Sequence, residues 1–138
     1  MPEFHIDLGD MPSTYAALDQ FTQGYIEAAF FTESGESDSP CEGKSFSDLA
    51  PVTLTSMIED CHDFQQACGA DIAEACDQDK VNYDEHRAGC DFWFTRNGHG
   101  CGFWDRGLQD IGDKLTQAAK GFRGCDLYQG DDGLIYGA

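Results

Sequence analysis

The chain has 138 residues, 26 acidic against 8 basic, for a formal net charge of −18; 41% of its residues are hydrophobic and 12% aromatic. That length suits one domain with one core, and the apolar content argues for folding despite the charge. No apolar run approaches the ~20 residues that cross a bilayer, no basic-then-apolar leader opens the chain, and so acidic a surface argues against anionic lipid or nucleic-acid phosphates as direct partners, which makes the cytoplasm the expected location.

In chain order, Phe4, Ile6 and Leu8 alternate with polar residues over Met1–Asp10 in the period of a short strand. Tyr15, Leu18, Phe21, Tyr25, Ala28, Ala29 and Thr32 then mark one face of a helix over about Thr14–Thr32, with Ser13 or Thr14 as its cap and Gly24 as a mild argument against it. Glu33–Lys44 lacks periodicity and reads as a loop. Pro51 opens the next helix, where Leu54, Ile58, Cys61, Phe64 or Gln65, Cys68, Ile72 and Cys76 form a buried stripe that Gly69 can divide. Glu59, Asp60, Asp63, Asp71, Glu74 and Asp77 occupy much of the remaining surface of that helix.

A short helix is predicted over Asn82–Ala88, followed by an aromatic hairpin: Phe92–Thr95 as one strand, Asn97, Gly98 and Gly100 as the turn, Gly102–Trp104 as the return. Leu108, Ile111, Leu115, Ala118 or Ala119 and Phe122 restore helical spacing, with Gly124 after its end. Cys125–Gln129 and Leu134–Tyr136 flank Gly130–Gly133 as a second hairpin. The expected fold is a single α+β domain over residues 1–138, with amphipathic helices packed on a small antiparallel sheet formed by two hairpins.

The charge is unevenly spread. Residues 1–80 hold 17 acidic residues against Lys44 and Lys80, whereas residues 81–138 hold 9 against 6 basic ones. Clustered carboxylates speed and orient association with a basic partner. The expected function is therefore a non-catalytic acidic interaction module with Glu59, Asp60, Asp63, Asp71, Glu74 and Asp77 as its contact residues. One form of it is a nucleic-acid mimic that occupies a basic groove of a protein or nucleoprotein complex. Solubility alone is the plain alternative for the same charge.

The densest local signature is Cys90-Asp91-Phe92-Trp93-Phe94-Thr95-Arg96-Asn97-Gly98-His99-Gly100-Cys101-Gly102-Phe103-Trp104-Asp105-Arg106. In the hairpin reading its aromatics enter the core, Arg96 and Arg106 pair with Asp91 and Asp105 or with a helix, and the polar tip exposes Asn97 and His99. Arg96, Asn97, His99, Asp105 and Arg106 are the candidate ligand-facing residues. Asp91–Trp93, Thr95–Gly100 and Gly102–Arg106, with the later Asp126-Leu127-Tyr128 and Gly130–Gly133 pieces, resemble the DFW-x-TRNGHG-x-GFWDR core of a family of small acidic proteins encoded mainly by bacteriophages and related mobile elements. The resemblance implies a role inside an infected bacterium and a host defence, transcription or other nucleic-acid-processing protein as partner; it implies no reaction.

Seven cysteines without a leader segment read mainly as free or buried thiols, with disulfides and metal ligation as alternatives. Cys90, His99 and Cys101, with His86 or Asp91, are suitable zinc-ligand types but lack paired CxxC spacing. Cys61 and His62 are adjacent on a helix and point apart, and Cys101 with His99 forms no activated pair without tertiary support. Gly130–Gly133 lacks the spacing of a calcium loop. No cofactor is expected, and a small metal-binding or hydrolytic protein using the His99 region is the second functional reading.

Overall fold

The structure is a computed structural model describing residues 15–34, 39–77 and 83–137. The strand predicted over Met1–Asp10 and the Ser13 and Thr14 caps lie outside those residues. In order come a 3-10 turn at Tyr15–Ala17, α1 (Gln20–Thr32), a 3-10 turn at Phe46–Asp48, α2 (Pro51–Asp77), α3 (Glu85–Arg96), a 3-10 turn at Phe103–Asp105, α4 (Asp110–Lys120), β1 (Leu127–Gln129) and β2 (Ile135–Gly137). The fold is α+β, with helices packed against a two-stranded antiparallel sheet.

Helix α1 begins at Asp19, whose carboxylate accepts from the Thr22 N–H at 2.8 Å and satisfies one orphan donor of the first turn. Gly24 is inside this helix for a reason of packing. A Cβ there would stand 1.9 Å from the His86 carbonyl oxygen, and one on Gly89 of α3 would stand 1.8 Å from that of Phe21. The two glycines let the backbones of α1 and α3 cross at closest approach, which outweighs the roughly 1 kcal/mol that glycine costs in a helix interior.

Helix α2 buries Thr53, Leu54, Met57, Ile58, Cys61, Phe64, Cys68, Ile72 and Ala75, the predicted stripe with Ala75 taking the inward place of the half-buried Cys76. The division expected at Gly69 is present as a local break: Cys68 leaves helical geometry at φ −120°, ψ 16°.

The predicted aromatic hairpin is instead a helix and its stop. Phe92, Trp93, Phe94 and Thr95 lie in α3, capped by the Asp84 carboxylate on the Arg87 N–H at 2.8 Å. Ala88, Phe92 and Thr95 fall at helical spacing and are buried, so packing overrides the strand preference of these residue types. Asn97-Gly98 closes the helix rather than turning a hairpin. Gly98 has φ +72°, its N–H reaches the Thr95 oxygen at 3.2 Å, and the His99 N–H reaches the Phe94 oxygen at 3.0 Å. That bond pair is the Schellman helix stop.

The core is dominated by rings. Phe64 of α2 stacks on Phe92 of α3 with centroids 4.2 Å apart, and Phe103, Phe122 and Phe21 surround the pair. Helix α4 adds Ile111, Leu115 and Ala119; it is already capped at Gly121, three residues before the expected Gly124. The C-terminal hairpin forms as predicted around Gly130–Gly133, pairing Leu127 with Gly137 and Gln129 with Ile135. It is tied to the entry of α2 by the Ala50 N–H on the Ile135 oxygen at 3.0 Å.

Candidate interaction surface

The six carboxylates expected at a partner surface divide by environment. Glu59, Asp63, Glu74 and Asp77 are exposed, Asp71 is half-buried, and Asp60 faces inward to an ion pair. Glu59 and Asp63 are four residues apart and Glu74 and Asp77 three apart, so each pair shares one side of α2, about 6 Å and about 4.5 Å apart along the axis. The break at Cys68 lies between the pairs, which are separated by about 16 Å of helix. Among the described residues, none of the four makes an ion pair. The outer side of α2 thus presents two separated acid pairs rather than a continuous row.

The candidate ligand-facing residues are mostly engaged within the fold. Arg96 is almost fully buried, its guanidinium donating to Asp60 Oδ2 at 2.8 Å, to the Tyr25 hydroxyl at 3.0 Å, and to the Arg123 and Phe122 oxygens at 2.8 and 3.0 Å. It also lies over the rings of Phe92 and Phe122 at 5.5 and 5.7 Å, near enough for cation–π attraction. One side chain therefore joins α1, α2, α3 and the chain after α4. Burial, only partly offset by Arg96, holds the Tyr25 hydroxyl well above its ordinary pKa.

Arg106 is engaged in a similar way. It meets the fully buried Asp91 through two nitrogens, Nη2 to Oδ1 at 2.7 Å and Nε to both oxygens at 3.1 Å, while the Tyr83 hydroxyl donates to Asp91 Oδ2 at 2.6 Å. Burial, reinforced by Asp91, pushes the Tyr83 hydroxyl far up and keeps it a donor. Asn97 Oδ1 accepts from the Cys125 N–H at 2.7 Å and Nδ2 donates to the Trp93 oxygen at 3.0 Å. His99 is half-buried with its ring edge-on to Phe94 at 6.0 Å; Asp105 is exposed.

The possible zinc ligands are drawn into different contacts. Asp91 is held by Arg106, His99 packs on Phe94, and Cys90 faces His86. Among the described residues no group of three or more His, Cys, Asp or Glu side chains is arranged to hold a metal. All seven cysteines are free, with Cys41, Cys61 and Cys68 buried. No helix of the described residues is long and apolar enough to cross a membrane.

Comparison with protein-family models, with curated proteins and with solved structures finds no match. Asp60, 36 residues away, is the helix partner that the sequence leaves open for Arg96, whereas the sharing of a helix face by His86 and Cys90 is not among its expectations. The second was within reach of the sequence, because their spacing of four residues pairs them as soon as the helix is continued past Ala88.

Proposed function

We propose that this protein is an acidic interaction module that docks the outer side of α2 on a basic surface of another protein. One observation supports the reading above all: Glu59, Asp63, Glu74 and Asp77 project to solvent from a helix whose opposite side is core, without ion pairs among the described residues. Two cations of the fold, Arg96 and Arg106, are occupied by Asp60 and Asp91. The outward charge is left for a partner.

Such a surface attracts a nucleic-acid-binding groove because, like nucleic acid, it offers fixed negative charge to a basic site. The spacing of the two acid pairs selects a partner with two basic patches. The bacteriophage resemblance supports a partner in an infected bacterium, a host defence or nucleic-acid-processing protein, and a cytoplasmic site of action. No direct contact with nucleic acid or membrane, and no cofactor, is part of this function.

Affinity capture from a bacterial lysate at low and moderate salt tests it, with the quadruple variant Glu59→Lys, Asp63→Lys, Glu74→Lys and Asp77→Lys as control. A basic nucleic-acid-binding protein held by the unaltered chain, released by added duplex DNA and absent from the variant is the expected result. Equal recovery on both chains sinks the proposal.

A further inference from the structure

Where α1 crosses α3, a thiol, an imidazole and a carboxylate lie in sequence. His86 and Cys90 share one face of α3, and Cys90 Sγ is 3.9 Å from His86 Nδ1. On the far side of the ring, His86 Nε2 is 3.1 Å from Glu27 Oε1 on α1. The second oxygen of Glu27 accepts from the Tyr15 hydroxyl, which orients the carboxylate. His86 and Cys90 are half-buried and, with Asp84, Arg87, Phe94 and Arg106, line a cavity of about 380 Å³.

Sulfur, imidazole and carboxylate in this order are the parts of a nucleophile, its base and the group that orients the base. Glu27 accepts the Nε2 proton, which fixes the tautomer and leaves the Nδ1 lone pair toward the sulfur. The Cys90 thiol is also within reach of the Gly24 carbonyl, to which it donates at 3.3 Å; turning its single proton to His86 Nδ1 gives up that bond.

We propose that Cys90, His86 and Glu27 form a thiol acyl-transfer site that takes an acyl group from an activated ester or thioester. Burial, with Asp91 and Glu27 adding to it, pushes the Cys90 thiol up to about 11. The sulfur is therefore protonated near neutral pH and needs a base at the moment of attack. The Sγ–H proton passes to His86 Nδ1 as the sulfur electron pair bonds to the carbonyl carbon. The bond from that carbon to the leaving oxygen or sulfur then breaks, and the leaving atom takes the proton back from the imidazolium. Water activated by His86 cleaves the resulting thioester to the carboxylic acid and restores the thiol. Arg106 and Arg87 favour negative charge at Cys90, by less than burial, Asp91 and Glu27 oppose it.

This site is independent of the acidic side of α2, and its test reads covalent chemistry rather than binding. The full chain is treated with p-nitrophenyl acetate, and intact-mass and peptide-mass analysis follow the acetyl group while p-nitrophenolate release gives the rate. In samples quenched with acid within the first turnover, before water cleaves the thioester, the expected result is one acetyl group per chain at Cys90, none at that position in Cys90→Ala, and acetylation slowed by about 100-fold or more in His86→Gln. Glu27→Gln slows it less, and Cys101→Ala leaves it unchanged. Because His86 is partly exposed, His86→Gln still decides the question if Cys90→Ala fails to fold. Acetylation at the unaltered rate in His86→Gln, acetyl spread over several thiols, or neither acetylation nor p-nitrophenolate release above that of Cys90→Ala overturns the proposal.

Discussion

The charged residues of α2 and those of the segment from Asp91 to Arg106 are used in opposite ways. In the segment, Asp91, Arg96 and Arg106 bond inside the fold, and the signature that stands out in the sequence largely builds a helix, its stop and two buried ion pairs. On α2, Glu59, Asp63, Glu74 and Asp77 face water and hold nothing in place among the described residues. Asp60 shows the distinction on a single helix, since it neighbours Glu59 in sequence yet belongs to the internal network. A conspicuous motif can thus be scaffold, while the residues free to meet a partner lie in a less distinctive stretch.

Substitutions should separate the two regions by stability. Gly89→Ala should have the largest effect, because its Cβ would fall 1.8 Å from the Phe21 oxygen and backbone cannot give way as a side chain can; loss of cooperative thermal unfolding is expected. Arg106→Ala leaves the Asp91 carboxylate buried without its cation and should cost about 3–5 kcal/mol in urea denaturation. Removing both charges together, with Asp91→Asn added, should recover part of that loss.

Reversal of Glu59, Asp63, Glu74 or Asp77 should change stability by no more than about 0.5 kcal/mol each. A larger loss at any of them would move that residue from the outward group to the internal one. The last effect, absent at neutral pH, concerns the thiols. Burial raises Cys41 and Cys90 to about 11, Glu33 adding at Cys41, so the folded state favours their neutral forms. Their contribution is present in full below the ordinary thiol pKa of 9 and is lost as pH rises through about 11. The urea midpoint should fall between those limits, and by less when both cysteines are replaced by alanine.

How much was legible in the sequence follows from the range of the interactions involved. The stripe from Leu54 to Ile72 and the turn at Gly130–Gly133 depend on local spacing and were read correctly. Asn97-Gly98 was not, because a glycine at positive φ serves a hairpin and a Schellman stop equally well, and only the packing of Phe92 under Phe64 decides between them. The hairpin alternative places Cys90 off the helix it shares with His86 and adds an aromatic hairpin that the fold lacks. Gly24 counts mildly against a helix in the sequence for a related reason: its partner backbone at His86 is far along the chain. Of the candidate contact residues, the outward side of α2 was visible as a pattern of acids. The withdrawal of Asp60 into the Arg96 network required the fold.

The most direct test is the dissociation constant of a captured basic partner across a salt series, measured for the unaltered chain and for the quadruple α2 lysine variant. The account predicts affinity that falls steeply with salt for the unaltered chain, and binding lost from the variant while its urea midpoint stays close to normal. Equal affinity and equal salt dependence in the two chains would contradict it.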